Sequence, residues 1–247
     1  MQANAYISVT VHSIIVFDQP SATFDPMARL ARIVVPGIPH HVTQRGNGRQ
    51  QTFFNDDDYA LYFGLLKKHA AATGVAVWSW VLMPNHVHLI LVPQERDGLR
   101  ACLSKVHRAY AGHIHARDKR TGHFWQGRFG CVAMDEAHFI GAVRYVALNP
   151  VRARLVERAV QWKWSSTHAL LDPATGDGMT EPAPVLQRVA DFAALLNAGE
   201  NEAASQVLRR AETIGRPIGN DAFMTHIENV NGRDARAQKR GPRRKDN

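Results

Sequence analysis

From Arg32 onward the period of the apolar positions changes several times, and each change marks an element. Residues 33–35 and 38–45 read as extended segments broken by Pro36-Gly37. Gly46-Asn47-Gly48 then supplies residues that accept a positive φ, so a turn is expected there. Asn55 ahead of Asp56, Asp57 and Asp58 is an acidic helix start, and Leu61, Leu65, Leu66 and Ala70 recur at helical spacing as far as Gly74. Residues 75–83 alternate as a strand, Pro84-Asn85 turns the chain, and 86–92 return as the next strand. Leu99, Cys102, Leu103, Val106, Tyr110, His113 and Ile114 form one stripe of a helix over 99–117. A basic, glycine-containing loop at 118–124 leads to a strand near 125–132. A third helix runs from about Asp135 to Asn149, where Pro150 disfavours its continuation.

The order strand, helix, strand, strand, helix, strand, helix predicts an α+β fold, an antiparallel sheet with helices packed on one side of it. Residues 27–172 hold this unit. Pro, Gly, Asp and Thr crowd 173–184, which reads as a linker, and helical stretches near 185–197, 201–213 and 220–229 make 185–232 a helical extension. Residues 233–247 have too little apolar content to fold when free. Residues 1–26 contain no Lys or Arg and differ in composition from the chain beyond Met27. They are expected to be a leader upstream of the native start, with an extra strand as the other reading.

Of the 247 residues 45% are apolar, enough for a packed core, yet no run of about 18 apolar residues offers a membrane helix. Two cysteines exclude a disulfide scaffold and a four-cysteine zinc site, and suit a reducing cytoplasm. The net charge of +8 alters the picture more, because it is concentrated. Residues 233–247 carry seven basic and two acidic side chains and 94–130 carry eight and three, which leaves the remainder at −2. Two basic regions on a near-neutral body point to a polyanion, nucleic acid first, against the alternative of a solvated tail and helix face.

Within the second of the paired strands, His86-Val87-His88 places both imidazoles on one face, while Val87, Leu89 and Leu91 take the other. Two such histidines can hold a metal ion, although 13 histidines make one His-x-His expected by chance, and His113-Ile114-His115 is a second. Tyr110 lies in the basic run Lys105-Val106-His107-Arg108-Ala109-Tyr110 on the helix after that strand. A phenol there can attack phosphorus, or it can simply end a buried stripe. Trp78 and Trp80 would share a strand face and could stack bases or fill a core. Arg45, Arg128 and Arg152 read equally as phosphate contacts or ordinary surface arginines, and Asn149 as a helix terminator or a functional amide. Tyr59, Tyr62 and Tyr145 lack comparable basic surroundings and read as structural.

The stretch Leu82-Met83-Pro84-Asn85-His86-Val87-His88-Leu89-Ile90 resembles the strand motif of the single-tyrosine transposases of the HUH endonuclease superfamily. Met27-Ala28-Arg29 is similar to one branch, the REP-associated tyrosine transposases, as are four further stretches. They are Gly37-Ile38-Pro39-His40-His41-Val42-Thr43-Gln44-Arg45-Gly46-Asn47, Gly122-His123-Phe124-Trp125-Gln126-Gly127-Arg128-Phe129, Arg144-Tyr145-Val146-Ala147-Leu148-Asn149-Pro150-Val151-Arg152-Ala153 and Trp164-Ser165-Ser166. With Gly215-Arg216-Pro217-Ile218-Gly219 and the basic tail, the resemblance spans about 28–245.

The resemblance implies a ferredoxin-like sheet on which His86 and His88 hold Mg²⁺ or Mn²⁺. Tyr110 would attack the scissile phosphate to leave a 5′-phosphotyrosine link and a free 3′-OH. Aligned on Tyr110, the third metal ligand falls on His115, with His113 competing. The implied partner is single-stranded or hairpin-flanked repeat DNA, contacted by Arg45, Lys105, Arg108, Arg128, Arg152 and the tail residues Lys239, Arg240, Arg243, Arg244 and Lys245. The protein would act as a monomer or homodimer at the nucleoid in the cytoplasm, without membrane contact. Two rivals remain open at this stage, a non-catalytic nucleic-acid-binding module of similar fold and a zinc hydrolase built on the histidines.

Overall fold

The computed structural model describes residues 32–198 and 202–236. Four strands, β1 (His40–Arg45), β2 (Val75–Met83), β3 (His86–Pro93) and β4 (Gly130–Ala133), form an antiparallel sheet in the order β2-β3-β1-β4. Helices α1 (Asp56–Ala72) and α2 (Gly98–Asp118) precede β2 and β4, and α3 (Glu136–Arg152) comes after the last strand. Five shorter or later helices complete the described chain: α4 (Thr167–Leu171), α5 (Ala183–Leu186), α6 (Phe192–Asn197), α7 (Glu202–Ile214) and α8 (Asp221–Asn231). Among the described residues no helix is long and apolar enough to cross a membrane.

Local chemistry accounts for the starts of the long helices. The Asn55 side chain accepts from the Asp58 amide at 2.9 Å, and Asp135 does the same for the His138 amide at 3.0 Å, each satisfying one of the free donors of a first turn. Asp58 is buried, and its carboxylate also accepts from the Phe54 amide and the Arg117 guanidinium, which pins α1 to the end of α2.

The sheet separates two cores. Val87, Leu89 and Leu91 of β3 pack with Val42, Leu66, Leu103, Val106 and Tyr110 under α1 and α2. Ile90 of the same strand packs with Val132, Phe139, Val143 and Val146 under α3. Helices therefore cover both faces, not one as expected, because β2 and β3 are apolar on both sides and each apolar face needs a cover.

Further departures have local causes. A register shift between Val77 and Ser79 turns Trp78 and Trp80 to opposite faces: Trp78 packs on Phe139 and Trp80 on Phe63. Both are core residues. Helix α3 runs through Pro150 to Arg152, with Ala153 donating to the Asn149 carbonyl and Leu155 to that of Pro150. The buried side chains of Val146, Ala147, Asn149 and Pro150 outweigh the proline's poor propensity. The strand expected at 125–132 shrinks to Gly130–Ala133, preceded by one bridge between Trp125 and Gly46. Residues 33–35 form no strand, and Ile33 and Val35 instead pack with Met224, Ile227 and Ala235.

The region read as a linker is tied to β2. Asp177 accepts from Trp80 Nε1 at 3.0 Å and from the amides of Met179 and Thr180, and Thr180 bridges Val77. Val185, Val189, Phe192, Leu208 and Ala211 from the later helices enter the core under α3. Arg233 and Arg236 are bonded to Arg32 and Glu228, so the beginning of the basic tail is folded. The leader and the five tail residues Lys239, Arg240, Arg243, Arg244 and Lys245 lie outside the described residues.

If 173–184 belongs to the folded unit, Asp177→Ala removes an acceptor of buried donors and costs about 1–3 kcal/mol. Chemical denaturation checks this, and a variant as stable as the wild type would make the segment a mere tether.

Candidate active site

Even-numbered positions of β3 face α3, so His86 and His88 point into the space between the sheet and that helix. In β1, Thr43 lies opposite His88 and Arg45 opposite His86, and His41 shares their face. Helix α3 presents Tyr145 and Asn149, one turn apart, toward the same space, and α7 brings Arg209 and Glu212. His86, His88, Arg45, Tyr145, Asn149, Arg209 and Glu212 line a cavity of about 530 Å³ together with Arg49, Gln126 and Arg152.

The ring contacts are close. His88 lies 4.8 Å from His86, 5.2 Å from His41 and 5.4 Å from Tyr145, centroid to centroid, and His41 lies 6.0 Å from Tyr145. The Arg152 guanidinium sits 5.0 Å from the centre of the Tyr145 ring. Burial, then the Glu212 carboxylate, push the Tyr145 phenol up, while Arg209 and Asn149 pull the other way.

Protonation of the histidines can be read from their partners. Asn85 Nδ2 donates to the Arg49 carbonyl at 3.0 Å, which orients the amide so that its Oδ1, 2.6 Å from His86 Nδ1, must accept from that ring. His86 therefore keeps its Nε2 lone pair for a ligand. Burial lowers His41 to about 4; burial, then Arg45, lower His86 to about 3. His88 is held well below the ordinary value by burial and then by its histidine neighbours. All three are neutral nitrogen donors at pH 7. Glu212 is pushed up to about 7 by burial, against Arg45 and Arg209.

Two buried atoms here lack a hydrogen-bond partner: His41 Nδ1 and Glu212 Oε1, 3.5 Å apart. The donor atoms of His41, His88 and Glu212 lie within 4.8 Å of one another. Neutral imidazoles beside an unpaired carboxylate oxygen and an amide fit a divalent cation, which such nitrogen and oxygen donors bind.

The sequence-predicted residues divide. His86, His88, Arg45 and Arg152 meet in this cavity, and Arg128 lines a polar groove that continues from it past Arg45 and Gln126. Tyr110 does not meet them. It is fully buried on the opposite face of the sheet among Phe53, Tyr62, Phe124 and Trp125, and its hydroxyl donates to the Thr52 carbonyl at 2.6 Å. Burial, then Asp58, push its phenol far up, and the sheet separates it from the histidine pair. His115 falls with it, its Nδ1 lying 2.8 Å from the Arg120 carbonyl and its ring against Phe124, as does exposed His113 on the same helix. The structure does not bring position 115 to His86 and His88. Lys105 and Arg108 are exposed on α2, away from the histidine pair.

Sequence reasoning passed over His41, Arg49, Gln126, Arg209 and Glu212, and read Tyr145 as structural. A signal for Tyr145 was present, since Tyr145-x-x-x-Asn149 puts a phenol and an amide on one face of a helix and Arg144 and Arg152 flank them. Nothing local marks Glu212.

The sequence model of the IS200-like transposase family matches residues 35–149, a stretch that contains both cavity histidines, His41, Tyr145 and Asn149 but ends before α7. Among solved structures, the chain is similar to a REP-associated tyrosine transposase bound to a REP hairpin, with 19% identity and a TM-score of 0.51 over 63% of this chain and 90% of the other. It is also similar to a protein described as a transposase from Deinococcus radiodurans, with 20% identity and a TM-score of 0.34 over 51% of this chain and 91% of the other. The first of these likenesses confirms the fold. No curated protein sequence matches.

The depressed histidines make a pH prediction. Their folded values lie below the ordinary 6.5, so their contribution to stability is fully present above pH 6.5 and is lost as pH falls through about 4 for His41 and about 3 for His86. The melting temperature of the metal-free protein should already decline between pH 6.5 and 5, before ordinary carboxylates protonate, because the three histidines together outweigh Glu212, whose raised value acts in the opposite direction. A flat profile across that window in thermal melts would show that these rings charge freely in the folded state.

Proposed function

We propose that this protein is an IS200-like transposase, the family whose model matches residues 35–149, and that it is a metal-dependent, single-tyrosine DNA strand transferase whose nucleophile is Tyr145. One observation carries the reading: the Tyr145 ring stands 5.4 Å from His88 in a cavity ringed by Arg45, Arg49, Arg152 and Arg209. Four guanidiniums around a phenol and a histidine pair suit a phosphodiester, which arginine binds through paired N–H donors. A protein of the same fold is bound to a REP hairpin, which supports hairpin-flanked single-stranded DNA as the substrate class.

In this reading the arginines hold the scissile phosphate against Tyr145. The phenol oxygen attacks phosphorus, a Tyr145 O–P bond forms, and the P–O3′ bond breaks to release a 3′-OH and leave a 5′-phosphotyrosine. Arg209 and Asn149, whose influence lowers the phenol's pKa, stabilise the phenolate as its proton leaves to solvent. His86 and His88, with the Asn149 amide within reach on α3, would hold Mg²⁺ or Mn²⁺, which when bound polarises the phosphoryl oxygen. Every group comes from one chain, so the site serves a monomer or each half of a homodimer in cis. Such a substrate makes the nucleoid in the cytoplasm the place of action.

The test is incubation with labelled single-stranded repeat DNA and Mn²⁺, then denaturing electrophoresis. Tyr145→Phe should keep DNA binding and lose the denaturation-resistant adduct. Tyr110→Phe should keep the adduct and lose only about 1 kcal/mol of stability, the worth of one buried hydrogen bond. An adduct that survives in Tyr145→Phe would overturn the assignment, and no adduct from the wild type would favour a binding module.

Lys239, Arg240, Arg243, Arg244 and Lys245 serve the same substrate as phosphate contacts. Each contact to single-stranded DNA contributes about −0.7 to the log–log salt slope, so removing residues 237–247 should flatten the slope by roughly 3 if four of them engage. Binding titrations from low to moderate salt check this, and an unchanged slope would assign the tail another task.

A further inference from the structure

Helix α7 lies beyond the stretch that the transposase family model matches, yet it places a carboxylate inside the cavity. Glu212 Oε1 is buried without a hydrogen-bond partner. It stands 3.5 Å from Nδ1 of His41, which is likewise unpartnered, and His41 Nε2 in turn meets His88 Nδ1 at 3.0 Å. Oε1 also lies 3.7 Å from His88 Nδ1, but that nitrogen already has its nearer partner in His41.

Two neutral imidazoles that meet nitrogen to nitrogen share one proton, so only two arrangements exist. In the first, His41 donates from Nε2. Its Nδ1 is then a bare lone pair aimed at an oxygen lone pair, and His88 carries its proton on Nε2, where it blocks coordination. In the second, His88 donates from Nδ1, His41 carries its proton on Nδ1 facing the carboxylate, and His88 Nε2 is free. In its ionised form, which prevails above about pH 7, the Glu212 carboxylate accepts and does not donate, so it favours the second. Asn85 does the same for His86 from the other side, through the 2.6 Å contact to its Nδ1.

We infer that His41 and Glu212 are positioning residues that fix His88 in the tautomer able to bind a divalent ion, with Glu212 acting through His41 and not on the ion itself. The inference rests on the proposed metal role of the His86–His88 pair and extends it to a chain of three side chains from β3, β1 and α7. Outer partners of this kind typically contribute about 10- to 100-fold to metal affinity.

Two measurements on the full chain test it. In metal-free protein with ¹⁵N-labelled histidine, long-range ¹H–¹⁵N spectra should show His88 protonated on Nδ1, and Glu212→Ala should move a measurable share to the Nε2-protonated form. Calorimetric titration with Mn²⁺ should show affinity about 10-fold weaker in Glu212→Ala, and no further loss when that change is added to His41→Ala. An unchanged His88 tautomer or an unchanged affinity in Glu212→Ala would overturn the inference. So would a further tenfold loss in the His41→Ala background, which would make Glu212 a ligand. If His86→Ala binds Mn²⁺ as the wild type does, the metal role of the pair fails instead, while the spectra still decide the tautomer.

Discussion

The alternation of side chains along β3 governs the rest of this structure. A strand sends successive residues to opposite faces, so Val87, Leu89 and Leu91 commit one face to the core under α1 and α2 and leave His86 and His88 on the other. Whichever helix covers that second face meets the histidines. It is α3, and its Tyr145 and Asn149 become partners of the pair, while the tyrosine of α2 is confined to the opposite core. A one-residue slip of β3 would exchange these roles and bury the imidazoles among leucines.

The same alternation explains what was legible in the sequence. The capped start of α1, the β2–β3 hairpin around Pro84-Asn85, the stripe of α2 and the order of elements were all plain from local patterning. The two faces of β3 were plain as well. The missing piece was which helix covers which face, a property of topology that no window of the sequence contains. The basic run around Tyr110 made it the more suggestive tyrosine, and its burial on the far face of the sheet, donating to the Thr52 carbonyl, is visible only in three dimensions. The bulge near Trp78, the continuation of α3 through Pro150 and the docking of residues 173–184 on β2 were likewise decided by packing over the local signals that argued otherwise.

The cavity is expensive for the fold to maintain. Neutral imidazoles, a carboxylate oxygen without a bond and a desolvated phenol sit where apolar side chains would pack at less cost. Groups left in this condition cluster where charge is to be received, and the surrounding arginines lend a positive field to an otherwise closely packed region.

Glu212 and Arg209 reach the cavity from a helix about 60 residues downstream of Asn149. During synthesis the histidine strands and the tyrosine helix leave the ribosome first, and the carboxylate and the Arg209 guanidinium emerge only after those intervening residues have been made. A nascent or prematurely terminated polypeptide thus carries the sheet, both cavity histidines and Tyr145 with the wall of α7 missing. The order in which the chain is written delays completion of the cavity until the C-terminal helices have docked.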